Sequence, residues 1–580
     1  MENINLKING LDVSAPAGST ILEAARLAGI RIPTLCYLKE INEIGACRMC
    51  VVEVKGARNL VAACVHPINE GMEVYTNTPS LMESRKKTLE LLLSNHDKKC
   101  LSCVRSGNCE LQHLCREYGV DDENYYAGAV THHELDESAA HMVRDNNKCI
   151  LCRRCVAVCE KTQGIGVIGA NNRGFDTAIG SPFGMGLGET SCVSCGQCIT
   201  ACPTGALYEK DYTREILEAI ADPQKYVVVQ TAPSVRAGLG EEFGYPMGTD
   251  VEGKMAAALR RIGFDRVFDT DWGADLTIME EATELLDRIK NGGVLPMITS
   301  CSPGWIKYCE HYLPDMTENL STCKSPQQMF GAMLKTYFAE KEGIDPKKIV
   351  SVSVMPCTAK KFEIGRDDQN AAGVPDVDYA ITTRELARLI KRCGIEFTAL
   401  PDETFDDPMG ESTGAGVIFG ATGGVMEAAL RTAVETLTGE ELTSLDFTGV
   451  RGTEGIKEAT YHVAGMDVKV AVASSLSCAR KLLKKVKAGE ADYHFIEIMG
   501  CPGGCVNGGG QPQVFGDVRN FTDVRAIRAG VLYRNDAAKT IRKSHENPAI
   551  KKLYEEYLGE PGSHKAHETL HTSYVKRTVN

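Results

Sequence analysis

Two regions of the chain differ in how apolar and polar residues alternate. Near the start, the alternating segments INLKI and LDVSA flank Asn9 and Gly10, a pair that favours a tight hairpin turn. The next segment, STILEAARLAGI, has helical spacing, with Thr20 and Glu23 placed as a capping box and Gly29 near its end. The pattern predicts a hairpin followed by a helix.

From about residue 210, short β-rich runs alternate with helical stretches: KYVVVQTA, GVLPMITSC, KIVSVSVMPC and YHFIEIMGC. Before this region, SLMESRKKTLELLLSNH predicts an amphipathic helix, and the acidic, irregular residues 118–140 predict a connector. After about residue 525 the pattern predicts one or two further amphipathic helices. We therefore expect several α+β domains, then a larger α/β domain with a helical tail.

Composition narrows the class of protein. The chain has 580 residues, 43% of them hydrophobic and 24% charged, as in a soluble protein of several domains. A net charge of −13 argues against a nucleic-acid surface. We find no apolar run long enough for a membrane span and no signal-peptide character in MENINLKING. The expected location is the cytoplasm.

Cysteine is the informative residue. Sixteen of the 24 cysteines fall between Cys36 and Cys202, mostly in C-x-x-C runs. A secreted disulfide protein would be short and would scatter its cysteines through loops. The pattern indicates thiolates that bind metal in a reducing compartment, and hence an iron–sulfur protein.

The first cysteine set follows the predicted hairpin and helix. Its spacing is C-x10-C-x2-C-x13-C, and its members are Cys36, Cys47, Cys50 and Cys64. This arrangement resembles a plant-type [2Fe–2S] ferredoxin with a β-grasp fold, in a variant with a longer first spacing. We assign it to residues 1–78.

The second set has the spacing H-x3-C-x2-C-x5-C. Its members are His96, Cys100, Cys103 and Cys109. It resembles a three-cysteine, one-histidine [4Fe–4S] site, which we assign to residues 79–118. Without this spacing, the histidine would be interpreted as a surface residue. Zinc also binds three cysteines and one histidine. The neighbouring cysteine sets favour iron over zinc.

Two C-x2-C-x2-C-x3-C runs follow, and they resemble a bacterial-type ferredoxin at residues 139–209. In that family the fourth cysteine of each run ligates the other cluster. One [4Fe–4S] set is then Cys149, Cys152, Cys155 and Cys202. The other is Cys192, Cys195, Cys198 and Cys159.

Further cysteines recur at the ends of predicted strands in the second half. Cys301, Cys357 and Cys501 each follow a β-rich run, and Cys505 lies in the next, glycine-rich turn. Because open α/β sheets bind ligands beyond the carboxyl ends of their strands, we expect these thiols to converge on one site. A single such cysteine would more often belong to the core.

Three segments carry a resemblance to a known family: TSCSPGW, VMPCTAKKFE and EIMGCPGGCVNGGGQP. In order, they resemble the motifs of [FeFe]-hydrogenases, most closely the long clostridial enzymes and the hydrogen-activating subunit of NAD(P)-linked, electron-bifurcating complexes. The resemblance implies an H-cluster, in which a [4Fe–4S] cubane shares a cysteine with a di-iron centre bearing carbonyl, cyanide and a dithiolate bridge. It assigns 210–525 to the catalytic domain and 526–580 to a segment similar to a separate small subunit.

The resemblance also assigns roles to single residues. Cys357, Cys501 and Cys505 match cubane ligands, with Cys505 as the bridging thiolate, and Lys360 matches the lysine that pairs with a cyanide. The remaining positions would donate to the diatomic ligands or line the pocket: Ser234 and Gln327 as donors, and Pro233, Met355 and Met499 as lining residues.

A proton route is expected on the helical segment MEEATELLDRIKN. Glu281, Glu284 and Arg288 lie near one helix face, where a surface salt-bridge stripe is the ordinary interpretation. The resemblance instead implies a proton relay, with Ser321 between the glutamates and Cys301 at the active-site end.

Cys301 and Ser302 raise a specific problem, because most family members have two adjacent cysteines here. Ungapped alignment puts Cys301 on the proton shuttle and Ser302 on the fourth cubane ligand, yet serine is a poorer ligand for iron than thiolate. Either Ser302 ligates through oxygen, or Cys301 ligates and the hydroxyl relays protons. Ligand chemistry favours the second.

The remaining candidates carry no motif. Cys309, Cys323, Cys393 and Cys478 are predicted to be buried thiols. The tail histidines have the spacing of a helix-borne metal site, but a disordered polar terminus is the preferred interpretation. These are His564, His567 and His571.

The predicted function is reversible hydrogen oxidation and proton reduction, with electrons relayed through one [2Fe–2S] and three [4Fe–4S] accessory clusters. The chain carries no flavin or nucleotide fingerprint, so we expect partner subunits that bind flavin and NAD(P), in a bifurcating complex, and hydrogenase maturation proteins. A stand-alone ferredoxin-dependent hydrogenase, a hydrogen sensor without turnover, and an electron-relay subunit of a dehydrogenase are the alternatives.

Overall fold

The computed structural model describes residues 2–120, 126, 128–442 and 444–579. A five-stranded sheet with one helix forms the first region. Its elements are β1 (Asn3–Ile8), β2 (Leu11–Pro16), α1 (Ile21–Leu27), β3 (Val51–Val54), β4 (Val61–Ala62) and β5 (Glu73–Tyr75). The strand order β2-β1-β5-β3-β4, with β1 parallel to β5, is that of a β-grasp sheet. The predicted hairpin and the Thr20–Glu23 capping box are both present.

Two helices carry the next region, α2 (Pro79–Leu93) and α3 (Glu110–Glu117). Buried Arg85 on α2 donates to the Val51 carbonyl at 2.9 Å, which fixes α2 to the first sheet. The predicted connector at 118–140 lies partly outside the described residues, because 121–125 and 127 are not among them.

A small pseudo-symmetric region of short elements follows. Its elements are β6 (Met142–Arg144), α4 (Arg154–Ala157), β7 (Gly169–Asn171), β8 (Ala178–Gly180), α5 (Gln197–Ala201) and β9 (Leu207–Glu209). Strands β6 and β9 pair antiparallel, so the start and the end of this region lie side by side.

Two four-stranded sheets organise the large α/β region. Their strands are β10 (Tyr226–Thr231), β11 (Arg266–Asp269), β12 (Met297–Ile298), β13 (Ile349–Met355), β14 (Tyr379–Thr382), β15 (Ile456–Val463), β16 (Met466–Ser474) and β17 (Phe495–Met499). One sheet has the order β11-β10-β13-β14 and is parallel throughout. The other has the order β12-β17-β16-β15, with β15 antiparallel to β16.

Helices cover both sheets. They are α6 (Thr213–Ala221), α7 (Pro233–Arg236), α8 (Glu252–Ile262), α9 (Thr270–Asn291), α10 (Pro303–Tyr312), α11 (Pro326–Met333), α12 (Ala339–Glu342), α13 (Lys360–Glu363), α14 (Thr383–Arg392), α15 (Gly414–Val417), α16 (Gly424–Thr438) and α17 (Leu476–Lys487). Helix α9 starts before the predicted segment, because the Asp269 side chain caps it by accepting from the Asp271 N–H. It ends at Gly292, which has φ +70°.

The C-terminal tail is ordered against the α/β region. Its helices are α18 (Gly516–Arg519), α19 (Val524–Ala538), α20 (Pro548–Leu553) and α21 (His564–Leu570). The preferred interpretation of the last histidines as a disordered terminus is therefore wrong. Leu570 is fully buried, and Cys323 and His571 form an antiparallel bridge, so tertiary packing orders this polar segment. Among the described residues, no helix combines the length and apolar character needed to cross a membrane.

Candidate active site

The first cysteine set lies beside the β-grasp sheet. The sulfurs of Cys50 and Cys64 are 3.3 Å apart, and the Cys47 N–H lies 3.5 Å from the Cys36 sulfur. Nearby thiolates of Cys50, Cys36 and Cys47 raise the pKa of Cys64 above its usual range. Four thiols brought together with three of them buried fit an iron–sulfur cluster, whose iron would replace the protons.

His96 lies just beyond α2 with an unused ligand atom. Its Nδ1 is buried and has no hydrogen-bond partner among the described residues. Burial lowers the pKa of the imidazole to about 4, so the ring is neutral at physiological pH. A neutral ring with a free buried nitrogen fits a metal ligand better than a surface histidine. A side chain at Gly205 would overlap the Cys103 sulfur, so the chain closes tightly over this set.

The two ferredoxin-like cysteine sets are also brought together. Burial raises the pKa of the Cys155 thiol, and the neighbouring thiolates of Cys152, Cys202 and Cys149 raise it further. Cys202, from the second run, therefore lies with three cysteines of the first run.

The reciprocal exchange is seen in the other set. Burial raises the pKa of Cys198, and the thiolates of Cys192 and Cys159 add to it. Burial likewise raises the pKa of Cys195, which lies near Cys198 and also near Cys501 of the α/β region. This cysteine set is therefore the nearer one to the large domain.

Two close contacts join the region around the Cys195 set to the large domain. The Gln163 amide donates to the Gly500 carbonyl at 3.0 Å, next to Cys501. A side chain at Gly509 would overlap the Cys195 carbonyl, so two backbones touch here without side chains between them.

The three strand-end cysteines line one internal cavity, as predicted. Cys357 follows β13, Cys301 follows β12, and Cys501 and Cys505 follow β17, so the carboxyl ends of both sheets meet here. Burial raises the pKa of Cys501, and the thiolates of Cys357 and Cys505 raise it further. The cavity therefore lies where the carboxyl ends of both sheets meet.

Glycine lets the 500–510 loop approach this cavity closely. Gly504 has φ +92°, and a side chain there would come within 2.6 Å of the Thr422 nitrogen. A side chain at Gly508 would overlap the Pro356 carbonyl, next to Cys357. The loop can therefore bring Cys501 and Cys505 against Cys357, as a shared iron–sulfur cubane requires.

Lys360 is the cation of the cavity wall. Its ammonium donates to Glu363 and to the Ser325 hydroxyl, both at 2.8 Å, and to the Cys301 carbonyl at 3.3 Å. Glu363 is 5% exposed, so this ion pair is buried. A positive donor held at an otherwise apolar wall fits an anionic ligand such as cyanide.

Cys301 and Glu281 face each other in the interior. Burial raises the pKa of the Cys301 thiol, and the largest charge effects on it come from Glu281 and then Cys505. Burial and the negative charge of Glu284 raise the pKa of Glu281 to about 8. The Ser321 hydroxyl and the Ser300 backbone N–H lie near this carboxyl and partly oppose the rise in its pKa, although neither makes a hydrogen bond of good geometry to it. Both groups are therefore protonated near neutral pH and can pass protons.

The predicted relay continues toward the surface. The Ser321 hydroxyl donates to Glu284 at 2.9 Å, and Glu284 accepts from Arg288 at 2.6 Å. Arg288 also donates to four backbone carbonyls, which hold it in place. Glu284 and Arg288, which the helical spacing placed on one face, are therefore bonded directly, and Ser321 joins them. Glu281 lies near Ser321 without a hydrogen bond of good geometry to it.

Ser302 lies at the start of α10 and lines the same cavity. Its hydroxyl oxygen accepts from the Gly500 N–H at 3.2 Å, beside Cys501. The charge neighbours that dominate the Cys301 pKa include Cys505 but neither Cys357 nor Cys501. The hydroxyl therefore lies on the side of Cys501, and the thiol on the side of Glu281.

Two predicted donors are engaged within the protein. Ser234 donates to the Gly420 carbonyl at 3.3 Å. The Gln327 amide donates to Glu363 at 2.8 Å and accepts from the Ser353 hydroxyl at 2.8 Å. Gln327 lines the cavity and retains a second N–H, whereas Ser234 does not line it. The predicted wall residues that do line it are Pro233, Met355 and Met499.

Sequence reasoning missed several members of the site. Phe419 and Gly420 complete the apolar wall, and Ser325 accepts from Lys360. Buried Glu497 accepts the N–H groups of Gly423 and Met426 at the start of α16. Of these residues, only Glu497 could have been found from the sequence, because a charged residue stands out within an apolar strand. Phe419, Gly420 and Ser325 lie at helix ends that carry no motif.

The motif-free cysteines differ from one another. Cys309 and Cys323 are buried as predicted, and Cys478 is half-buried. The prediction for Cys393 is wrong, because it follows α14 at an exposed helix end.

Thiols that converge at the ends of parallel strands, next to ferredoxin-like cysteine sets, define a multi-cluster iron–sulfur oxidoreductase. The family described as "Iron only hydrogenase large subunit, C-terminal domain" matches residues 225–509, and "Iron hydrogenase small subunit" matches 522–577. Three iron–sulfur families match further upstream. They are a 2Fe-2S iron-sulfur cluster binding domain at 1–79, the NADH-ubiquinone oxidoreductase-G iron-sulfur binding region at 85–124, and a 4Fe-4S dicluster domain at 148–206.

Whole-length relatives agree. The NADP-reducing hydrogenase subunit HndD of Solidesulfovibrio fructosivorans is 52% identical, with all of both chains covered. Iron hydrogenase 1 of Clostridium pasteurianum is 45% identical over 98% of this chain and 99% of its own. A solved structure of apo [FeFe]-hydrogenase HydA1 from Chlamydomonas reinhardtii is 44% identical, with a TM-score of 0.57, and covers 64% of this chain and all of that chain. The chain belongs to the iron-only, or [FeFe], hydrogenases.

Proposed function

We propose that the cavity between the two sheets holds an H-cluster, at which the chain interconverts hydrogen with two protons and two electrons. The convergence of Cys357, Cys501 and Cys505 on one buried cavity is the observation that carries this proposal. When bound, the di-iron centre supplies the open site at which hydrogen is split or formed. Lys360 supplies the buried positive charge beside it.

Protons leave through the chain's own side chains. We propose that Cys301 exchanges a proton with Glu281, which exchanges it with Ser321 and then Glu284. The raised pKa values of the first two groups and the 2.9 Å Ser321–Glu284 bond support this order. Cys301 would then be the shuttle and Ser302 the fourth ligand of the cubane, which is the alternative that ligand chemistry alone disfavoured.

Electrons follow the accessory cysteine sets. The proposed domains are 1–78, 79–118, 139–209 and the catalytic 210–525, followed by the tail at 526–580. The first three of these domains would hold the accessory clusters: one [2Fe–2S] cluster in 1–78, one [4Fe–4S] cluster in 79–118 and two [4Fe–4S] clusters in 139–209. The contact between Cys195 and the Gly509 loop supports the dicluster domain as the direct electron partner of the catalytic domain.

The direct test is infrared spectroscopy of the anaerobically matured chain, together with hydrogen evolution from reduced methyl viologen. Carbonyl and cyanide bands with turnover are expected. Bands without turnover would favour a hydrogen sensor, and the absence of bands in matured protein would favour an electron-relay subunit.

We further propose that nucleotide reduction requires partner subunits, in keeping with the name of the 52% identical relative. The isolated chain should reduce viologen or ferredoxin with hydrogen, and should reduce NADP only after addition of flavin-bearing partners. NADP reduction by the isolated chain would contradict this proposal. Purification of the active chain from native extracts without any partner subunit would favour a stand-alone ferredoxin-dependent hydrogenase.

A further inference from the structure

The outer end of the proton route poses a chemical problem. Arg288 is the last residue of the predicted relay, and a guanidinium does not lose its proton in proteins. It can hold Glu284 in place, but it cannot carry a proton from Glu284 to solvent by releasing its own. A side chain that can both accept and release a proton is needed at this point.

The tail supplies such a group. Glu284, Cys323 and His571 bring a carboxylate oxygen, a sulfur and a ring nitrogen within 4.8 Å of one another. A separation of this size is spanned by one water or by the intervening thiol. The tail therefore brings an imidazole next to Glu284, and the Cys323 thiol lies 3.8 Å from the same carboxylate.

His571 is held in place from both sides. Its Nε2 lies 3.1 Å from a Glu280 oxygen, and its Nδ1 lies 2.7 Å from the Thr322 hydroxyl. Glu280 is fully buried at the side chain and also accepts from Tyr554 and from the Gly562 N–H. With the ring fixed by a carboxylate on one nitrogen, the other nitrogen is free to gain and lose a proton against a rotatable hydroxyl.

The backbone fixes the tail at the same place. Cys323 and His571 form an antiparallel bridge, in which Lys324 donates to the Leu570 carbonyl at 2.8 Å and Thr572 donates to the Thr322 carbonyl at 2.7 Å. His571 therefore keeps its position relative to Glu284 without depending on side-chain contacts alone.

A path to solvent continues from the ring. The His567 ring lies 4.0 Å from the His571 ring, centre to centre, and His567 is exposed. We propose that His571 is the proton-exchange residue of the outer relay: it takes a proton from Glu284 through Cys323 or a bridging water and passes it to solvent beside His567. Each hop moves one proton and no electron.

The ionisable groups around the ring are Glu280 and Glu284 of α9, Cys323 of the loop before α11, and His567 of α21. Two carboxylates, a thiol and a second imidazole therefore surround the ring. This inference rests on the proposed function, because it assigns the exit of the same relay.

The experiment compares His571→Gln with His564→Gln in the full matured chain. Glutamine keeps a donor and an acceptor but does not titrate. His564 is an exposed histidine of α21 that pairs only with Glu568 among the described residues, at 3.5 Å, so it controls for changes to the tail. With a fast electron donor, H571Q should slow hydrogen turnover by about tenfold or more near pH 7, whereas H564Q should keep the wild-type rate.

Chemical rescue separates proton exchange from structure. In His571→Ala, added imidazole should restore turnover, whereas a purely structural defect would not respond.

The outcomes decide between the two claims. The role of His571 would be overturned if H571Q kept turnover within twofold of wild type at every pH. It would also be overturned if imidazole failed to restore the turnover lost in H571A. Either result would leave the proposed function intact. A matured wild-type chain without hydrogen turnover would overturn the proposed function itself.

Discussion

The Ser302 hydroxyl oxygen accepts the Gly500 N–H at 3.2 Å, and Gly500 directly precedes Cys501. This bond sets the hydroxyl beside the cysteine loop, while the adjacent Cys301 thiol faces Glu281. One peptide unit thus separates a group on the cubane side of the cavity from a group on the proton side.

Changing Ser302 to cysteine tests this division. In the chain purified without the di-iron centre, Ser302→Cys should raise the reduction potential of the catalytic cubane and change its electron paramagnetic resonance signal. The physical reason is that thiolate is a softer ligand than serine oxygen. The matched control is Ser351→Cys, at another buried serine, whose hydroxyl has no partner among the described residues. An unchanged signal in S302C, together with loss of the cubane in Cys301→Ala, would instead identify Cys301 as the ligand.

The Glu281 carboxyl should lower the free energy of unfolding as the pH rises toward 8, although turnover depends on it. Its pKa is about 8 in the folded chain against 4.5 for the ordinary group, so the folded state holds a proton that the unfolded state releases over this pH range. Stability from this group is full below about pH 4.5 and is lost progressively as the pH rises toward 8. Glu281→Gln should therefore slow turnover about a hundredfold and raise the free energy of unfolding at pH 8 by a few kcal/mol.

Thermal unfolding at pH 5 and pH 8, and hydrogen evolution, measure these two effects. Asp287→Asn is the control, because Asp287 lies on α9 at an exposed position. A Glu281→Gln variant that melts lower than wild type at pH 8 would show that the carboxyl is stabilised in its charged form, contrary to this expectation.

Lys360 should matter for stability as well as for turnover. Lys360→Met leaves Glu363 buried without its cation, which costs about 3–5 kcal/mol. The double variant Lys360→Met/Glu363→Gln should recover most of the melting temperature but not the turnover. Lys361→Met is the comparison, because it breaks the equally buried pair with Glu385 away from the cavity wall. It should lower the melting temperature yet keep turnover per loaded site. A double variant as unstable as K360M would argue against the ion pair as the cause.

His96 should hold iron. His96→Ala should lower the iron content by about four atoms per chain and remove one accessory [4Fe–4S] signal, while viologen-driven turnover at the H-cluster remains. His113→Ala, at an exposed histidine of α3, should keep all the iron. Zinc in the wild-type chain that disappears in H96A would identify the site as a zinc site.

The sequence predicted elements whose signals are local. The hairpin turn at Asn9 and Gly10 and the Thr20–Glu23 capping box depend on neighbours along the chain, and both appear in the structure. The convergence of the strand-end cysteines was also predictable, because the direction of parallel strands fixes where their ends meet.

Tertiary packing decided the rest. The Ser234 hydroxyl has a donor role by resemblance, and in the structure it donates to the Gly420 carbonyl, a tertiary neighbour that no local pattern predicts. The tail around His571 is polar enough to suggest disorder, yet it is ordered by its bridge to Cys323 and by buried Leu570. Cys393 was expected to be buried and is exposed, because nothing in the neighbouring sequence shows which way a cysteine at a helix end faces.

The contact between Gly509 and the Cys195 carbonyl has a consequence for electron flow. Because no side chain separates the two backbones, the spacing between the last accessory cysteine set and Cys501 is set by main-chain packing. Electron tunnelling depends steeply on distance, so in the proposed relay this contact would set the length of the step into the catalytic domain. A side chain at position 509 would overlap the Cys195 carbonyl, so a larger residue there would push the two backbones apart and lengthen this step.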